Sequence, residues 1–309
     1  MKRPSGPGLT GRGKYFRQKE NEGLLFISLW LAGFIVFRLF PSVFSLVFSF
    51  SDFNLFGGIE KWGFMNYIGI AADKKITASF AVTVKYAAIT VPLKLIAALL
   101  AALLLNHAVK GIGFFRTVFY IPTVLGSSVA IAILWKALFR DDGLVNQFLV
   151  LLGHEKISWL SDTGNALWVI SFLRIWQFGS SMVVFLAALK AVPHELYEAA
   201  EIDGAGTIRK FFTITVPFLS PVIFYNMVTQ TGLAFQEFNA PFVITQGGPR
   251  GSTTLISLLI YNIAFQEKNM GMACALTWVF FIVVSMIGAL MFISQKYWVY
   301  YDGTPREEK

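Results

Sequence analysis

Two stretches carry residue types that nearly make a reactive site, and each stops one residue short. Gly8-Leu9-Thr10-Gly11-Arg12-Gly13-Lys14 has the glycines and the lysine of a phosphate-binding loop. Tyr15 stands where the magnesium-binding Ser or Thr hydroxyl belongs, and no strand precedes the glycines. His194-Glu195 begins the helix of a zinc peptidase, but Glu198 occupies the place of the second histidine ligand. His107, His154 and His194 have no metal-ligand spacing, and the single Cys274 allows no intrachain disulfide. The sequence also has no Gly-x-Ser-x-Gly elbow and no intramembrane Asp pair fit for proteolysis. These residues read as a chain with no catalytic group and no metal site of its own. Any uphill work must then draw on another subunit or on an ion gradient.

One acidic segment is more promising. Between Val192 and Pro217, Glu195, Glu198 and Glu201 recur three apart, and neither Lys nor Arg occurs between Lys190 and Arg209. Pro193 suits the first turn of a helix, Glu195 complements its positive end, and Gly204 or Gly206 suits its stop. A helix of about three turns is expected there. Like charges at this spacing are mildly destabilising in isolation, so the acidic face suits a basic partner. The small pair Ala199-Ala200 would let that partner's backbone come close.

The elements that position this segment follow from composition. Apolar residues make up 55% of the 309-residue chain and charged residues 14%, against roughly 25% charged in a soluble domain. That disfavours a soluble enzyme, a disordered scaffold and a nucleic-acid binder, despite a net charge of +8. The basic excess suits loops facing anionic lipid. A membrane crossing needs about 20 mostly apolar residues, and six stretches qualify: 24–50, 77–105, 114–138, 166–189, 216–238 and 272–293. Residues 1–23 read as a basic cytosolic tail. The run that follows is 27 residues long, beyond the roughly 7–15 of a cleavable signal core, so it is expected to remain as a helix.

Orientation follows from where Lys and Arg fall. Fourteen lie in the two tails and the connections after spans two and four, and seven lie in the opposite connections. Both termini are therefore expected in the cytosol. Five more, Arg38, Lys85, Lys94, Lys136 and Arg174, lie inside spans, where a charge costs about 2.5–3.5 kcal/mol at a helix centre. Lys136 and Lys85, nearer the ends, are expected to snorkel to the interface. Arg174, beside Trp176 and Gln177 halfway through span four, is the candidate for facing a protein interior or a water-filled cavity.

Several patterns together carry a family resemblance. Glu198-Ala199-Ala200, three residues, Gly204, nine residues, then Ile214-x-Val216-Pro217 resembles the EAA loop of bacterial binding-protein-dependent ABC importer permeases. Val216 stands where the family usually has Leu. Asn-x-x-x-x-Gly-x-Gly-Phe-Phe-Arg-Thr from Asn106 to Thr117, with Tyr120-Ile121-Pro122, resembles the start of the permease core. Thr245-Gln246-Gly247-Gly248-Pro249 resembles the external loop of the oligosaccharide subfamily. From about Leu24 to Tyr297 the chain is similar to a sugar permease of the maltose-transporter type.

The resemblance implies an all-α integral membrane protein of the type I importer permease fold, with six transmembrane helices and a cytosolic coupling helix between spans four and five. The implied organisation is a basic tail (1–23), a first helix and external loop (24–76), and a core of five helices (77–297). The EAA loop at 192–217 lies within that core, and a cytosolic tail (298–309) follows it. The permease itself would be no enzyme and hold no cofactor, since ATP and magnesium belong to partner ATPase subunits. The implied partners are a second homologous permease, two ATP-binding cassette subunits, an external solute-binding protein reached by residues 239–271, and membrane lipid. Nucleic acid is not among them. Glu198 would be the ionic anchor on the ATPase, Ala199, Ala200 and Gly204 the close-packing positions, and Asp203 would fix the turn. Family sugar-contact positions fall on Leu173, Trp176, Gln177, Ser180, Gln230, Leu233, Ala234 and Glu237, with Asn226, Gln236 and Asn239 in support. Glu237 departs from the neutral amides common there, which points to a particular substrate or to a salt bridge with Arg174. The competing reading, a stand-alone ion-coupled secondary transporter, needs intramembrane acids near the midplane. Only Glu237 qualifies, and it lies toward an end.

Overall fold

The computed structural model describes residues 27–54, 56–106, 111–126 and 128–300. The basic tail at 1–23, with its near phosphate-loop, and most of the C-terminal tail lie outside the described residues. So does the stretch 107–110 within the Asn106–Thr117 motif.

Among the described residues, four single helices and two bent pairs have the length and composition to cross a membrane, six spans when each bent pair is one. The single helices are α1 (Ile27–Phe48), α3 (Lys74–Asn106), α10 (Thr207–Phe235) and α12 (Met270–Trp298). A short helix, α2 (Met65–Ala72), precedes α3. At 33 residues α3 is about 50 Å long, well beyond the roughly 30 Å of hydrocarbon. It is the central post, with α7 (Ala166–Trp176), α8 (Gly179–Ala191) and α10 packed around it. Lipid is as apolar as leucine, so helices here associate by close packing rather than by escaping water. The buried face of α3 accordingly carries small residues, Ala87, Ala98, Ala101 and Ala102, against Met182, Phe185, Leu186 and Leu189 of α8. Thr90 donates a buried hydrogen bond to Ser171 Oγ of α7 at 3.1 Å. Helix α1 is peripheral. None of its residues from Ile35 to Phe48 is buried, and its contact with the rest is along α12 and through the loop after it.

The third expected span is not one straight helix. Residues 112–138 form α4 (Ile112–Leu125) and α5 (Val129–Leu138), bent by 105° at the break. The chain turns there because Pro122 removes one helical hydrogen bond and Gly126 follows it closely. Ser128 then takes extended backbone and caps α5, its side chain accepting from the Ala130 N–H at 3.2 Å. The fourth span is α7 (Ala166–Trp176) and α8 (Gly179–Ala191), bent by 46°. Between α5 and α7 lies α6 (Leu144–Leu151), anchored by Asn146, which is fully buried.

Much of the segment 239–271, expected to reach an external partner, packs into the bundle, while residues 250–251 and 265–269 are exposed. Ile244, Leu255, Ile256 and Leu258 are buried, and the Ile256 N–H donates to Thr83 Oγ1 of α3 at 2.9 Å. Its helix α11 (Ile256–Gln266) is only about 16 Å long and too short to cross. The Gly247-Gly248-Pro249 turn before it is pinned by Thr253, which donates to the Gly248 carbonyl at 2.7 Å, and by Thr254, which donates to the Gly247 carbonyl at 3.0 Å.

Candidate functional site

The two broken spans meet at their breaks. Gln177, at the C-terminal end of α7, donates through Nε2 to the Gly126 carbonyl at 2.8 Å. Thr123 of α4 donates to the Gln177 carbonyl at 3.3 Å and accepts from the Ser180 N–H at 3.3 Å. Inside a membrane every freed backbone group needs a partner, and here each break supplies partners for the other. Gly179 makes this approach possible. A Cβ there would stand 2.6 Å from the Phe119 carbonyl oxygen and 2.8 Å from Thr123 Oγ1.

Arg174 is the centre of a buried polar cluster one turn from the break. Its Nε pairs with Glu237 Oε2, and its Nη1 donates to Gln177 Oε1 at 3.0 Å. Glu237 lies just past α10 and is 2% exposed, and its other oxygen accepts from the Ala240 N–H at 3.0 Å. The salt bridge between these two residues is therefore present. It occupies the one acid that an ion-coupled mechanism would have used.

A small cavity opens between α3, α7 and α10, with Gln230, Leu233 and Ala234 on one wall and Tyr86, Thr90, Lys94 and Arg174 on the others. The remaining expected sugar contacts lie elsewhere. Trp176, 37% exposed, stacks on Trp135 of α5 with ring centroids 5.6 Å apart, and Ser180 is half-buried with its backbone N–H bonded to Thr123 of α4. Leu173 is in the core. Asn226 is buried and donates to the Val222 carbonyl of its own helix, Asn239 is half-buried, and Gln236 is exposed. The α3 wall of the cavity was not among the expected site residues, although Tyr86, Thr90 and Lys94 recur every four positions and so share one helix face.

Of the other charges, Lys85 is exposed. Lys136 is half-buried and donates to the Val243 carbonyl at 3.4 Å, supporting the turn that leads to Gly247.

On the opposite side of the bundle the acidic segment forms α9 (His194–Ile202), with Pro193 at its N-cap and Glu195 in its first turn. The helix ends in a Schellman turn. The Ala205 N–H bonds to the Ala200 carbonyl at 2.8 Å and the Gly204 N–H to the Glu201 carbonyl at 3.0 Å. Gly204 has φ +74°, the left-handed conformation this turn requires, whereas Gly206 does not. Asp203 is the C-cap residue. No residue of α9 is buried. Its acids are partly compensated within the chain: Glu198 meets His194 Nδ1 at 3.0 Å, and Glu201 accepts from Lys210 Nζ at 2.6 Å. That ammonium holds the Glu201 carboxyl below its usual range. Beside Ala199, Ile202 is 88% exposed. The helix is tied to the base of α10 by Tyr197, whose hydroxyl shares a 2.8 Å hydrogen bond with Thr215 Oγ1.

A bundle of broken spans with an exposed helix slung beneath it is the architecture of a transport permease, and residues 68–299 match the family described as binding-protein-dependent transport system inner membrane component. The chain belongs to that family, and so to the multi-pass proteins of the cytoplasmic membrane. It is 39% identical over 302 residues to the probable ABC transporter permease protein YesP of Bacillus subtilis (strain 168), covering 96% of this chain and 98% of that one. It is 34% identical over 295 residues to the lactose transport system permease protein LacF of Rhizobium radiobacter, covering 93% and 98%. Among solved structures it resembles a chain of a bacterial alginate ABC transporter in complex with an alginate pentasaccharide-bound periplasmic protein. The TM-score is 0.78 and the identity 20%, over 91% of this chain and 96% of that one. At that identity the likeness establishes the fold.

Proposed function

We propose that this chain is the permease subunit of an ATP-driven importer. It pairs with a second homologous permease to form an alternating-access pathway for an oligosaccharide delivered by an external solute-binding protein. Two cytosolic ATPase subunits supply the energy, and both termini of the chain face the cytosol with them. The observation that carries the reading is α9: a helix with no buried residue, tied to span five through Tyr197–Thr215 and continuous with span four through Pro193. A helix held outside its own bundle in this way is placed to take a push from a separate body and pass it to two spans. Glu198 is the anchor, Ala199, Ala200 and Gly204 let the ATPase surface close in, and Asp203 ends the helix. Carbohydrate relatives such as the lactose permease support a sugar as cargo. Gln230, Leu233 and Ala234 on the cavity wall, with Ser180 and the exposed aromatic face of Trp176, are the proposed sugar-facing set, while Gln177 and Glu237, buried and bonded within the chain, would hold the break and Arg174 in place behind it.

The test is co-purification from membranes expressing the whole transporter. Glu198→Lys should lose the ATPase subunits and uptake together while the permease stays in the membrane; retained assembly and uptake would refute the docking role. Trp176→Ala should impair uptake without disturbing assembly, and wild-type uptake would remove it from the sugar path. Pumping of solute by the purified chain alone, with no ATPase present, would overturn the proposal as a whole.

A further inference from the structure

The cavity between α3, α7 and α10 has more positive charge in its walls than it neutralises. Lys94 lies 20 residues into the 33-residue α3, roughly 18 Å from its last residue. It is 7% exposed, lines the cavity, and makes no hydrogen bond or ion pair with any described residue. Burying an ammonium at this depth is expensive unless something answers it. The carboxylate within Coulombic reach, Glu237, already has both oxygens engaged, one by Arg174 and the other by the Ala240 N–H. One and two turns before Lys94 on the same face stand Thr90, whose hydroxyl is donated to Ser171, and Tyr86. The Tyr86 hydroxyl is fully buried beside Thr90 and Arg174 and reaches no partner in hydrogen-bonding geometry. The Gln230 side chain is on the facing wall. The free space, about 20 Å³, holds a water or two, or a group of that size, but not a sugar ring.

Resting on the proposed role as a sugar permease, we infer that this cavity receives the charged oxygens of the acid group of an anionic oligosaccharide, a uronate carboxylate or a sugar phosphate, with Lys94 as its counter-ion. A neutral hydroxyl would bring a donor to a wall already rich in donors. An acid group brings acceptors only, and it answers the ammonium. The ring would remain outside the mouth, where Leu233 is 55% exposed.

The experiment uses the assembled transporter in lipid nanodiscs. Melting is followed with a uronate disaccharide, the same disaccharide with its carboxylates reduced to alcohols, and a disaccharide phosphate. In the wild type at least one acidic sugar should raise the melting temperature and the reduced one should not; whichever acid acts identifies the group. Lys94→Met should weaken acid binding about 10- to 100-fold, and Lys94→Arg should retain most of it. The ligand-free Lys94→Met complex should melt at or above the wild type, because an unanswered buried charge has gone. Equal response to acidic and neutral sugars overturns the inference, as does acid binding that survives Lys94→Met. A destabilised Lys94→Met complex also overturns it, since that would mark a structural partner for Lys94 in the second permease. ATPase co-purification and hydrolysis are read on the same samples. Their absence in the wild type defeats the parent reading, whereas intact hydrolysis with an acid-indifferent cavity defeats this inference alone.

Discussion

Replacing Glu237 by glutamine keeps the shape of the side chain, and its Oε1 can still accept the Ala240 N–H. What it removes is the negative charge against Arg174. Breaking a fully buried pair by removing one partner costs about 3–5 kcal/mol. Here Glu237 is buried, but 27% of the Arg174 side chain remains exposed and its Nη1 keeps Gln177. Solvent screening therefore moves the expected loss to about 2–3 kcal/mol. At about 2–4 °C per kcal/mol for a chain of a few hundred residues, the melting temperature should fall by roughly 5–10 °C. The assay is tryptophan fluorescence on the transporter in nanodiscs, with the exposed Glu267→Gln as control. Arg174→Gln should also destabilise, by leaving Glu237 buried and unanswered. The double variant should lose less than the two singles together, with a coupling of about 1–3 kcal/mol. The reasoning is refuted if Glu237→Gln melts within a degree of the wild type, or if the two single losses simply add.

Three further outcomes are expected. Gly204→Leu forces a side chain into φ +74°, at about 1–2 kcal/mol, and should fray the end of α9; uptake should fall while ATP hydrolysis continues, and normal coupling would count against the turn. Gly179→Ala places a methyl 2.6 Å from the Phe119 carbonyl oxygen, so α4 and α8 must part, at about 1–3 kcal/mol; an unchanged melting temperature would mean that the two breaks are looser than described. The Glu201 carboxyl is lowered from 4.5 by its bond to Lys210, so its contribution to holding α9 is complete above that value and is lost as pH falls through the lower folded one. Amide exchange in α9, corrected for intrinsic rate, should show protection dropping only below about pH 4.5, and Lys210→Gln should erase that dependence.

Much of the architecture was readable from the chain. Long apolar runs are unambiguous in a protein this poor in charge, and the α9 stop at Gly204 follows from the need for a residue that tolerates positive φ. The bend between α4 and α5 was not readable, because mean hydropathy sums across a corner as readily as along a rod, and proline alone is common in membrane helices. The inward fold of Ile256–Gln266 escaped for a related reason: an apolar run of this length fits a buried helix as well as an external loop. Lys94 was visible as an oddity but not as a cavity wall. In lipid the outer and inner faces of a helix are about equally apolar, so α3 has little amphipathic contrast to say which side is buried. The acidic face of α9 pointed to a basic partner, yet part of that basicity comes from the chain itself, through Lys210, nine residues on from Glu201.

The stitching of Gln177, Gly126, Thr123 and Ser180 has a mechanical meaning. α8 rises from Pro193, where α9 begins, to Gly179, where the fourth span bends. If α9 is the docking helix proposed above, a stroke delivered to it would travel along α8 and arrive at an elbow whose far arm carries Arg174. That elbow is laced to the corner of the third span by three hydrogen bonds, so flexing either alone would break them. On the proposed docking role, the two spans would then move as one linkage, turning a thrust on α9 into a displacement of the polar cluster around Arg174.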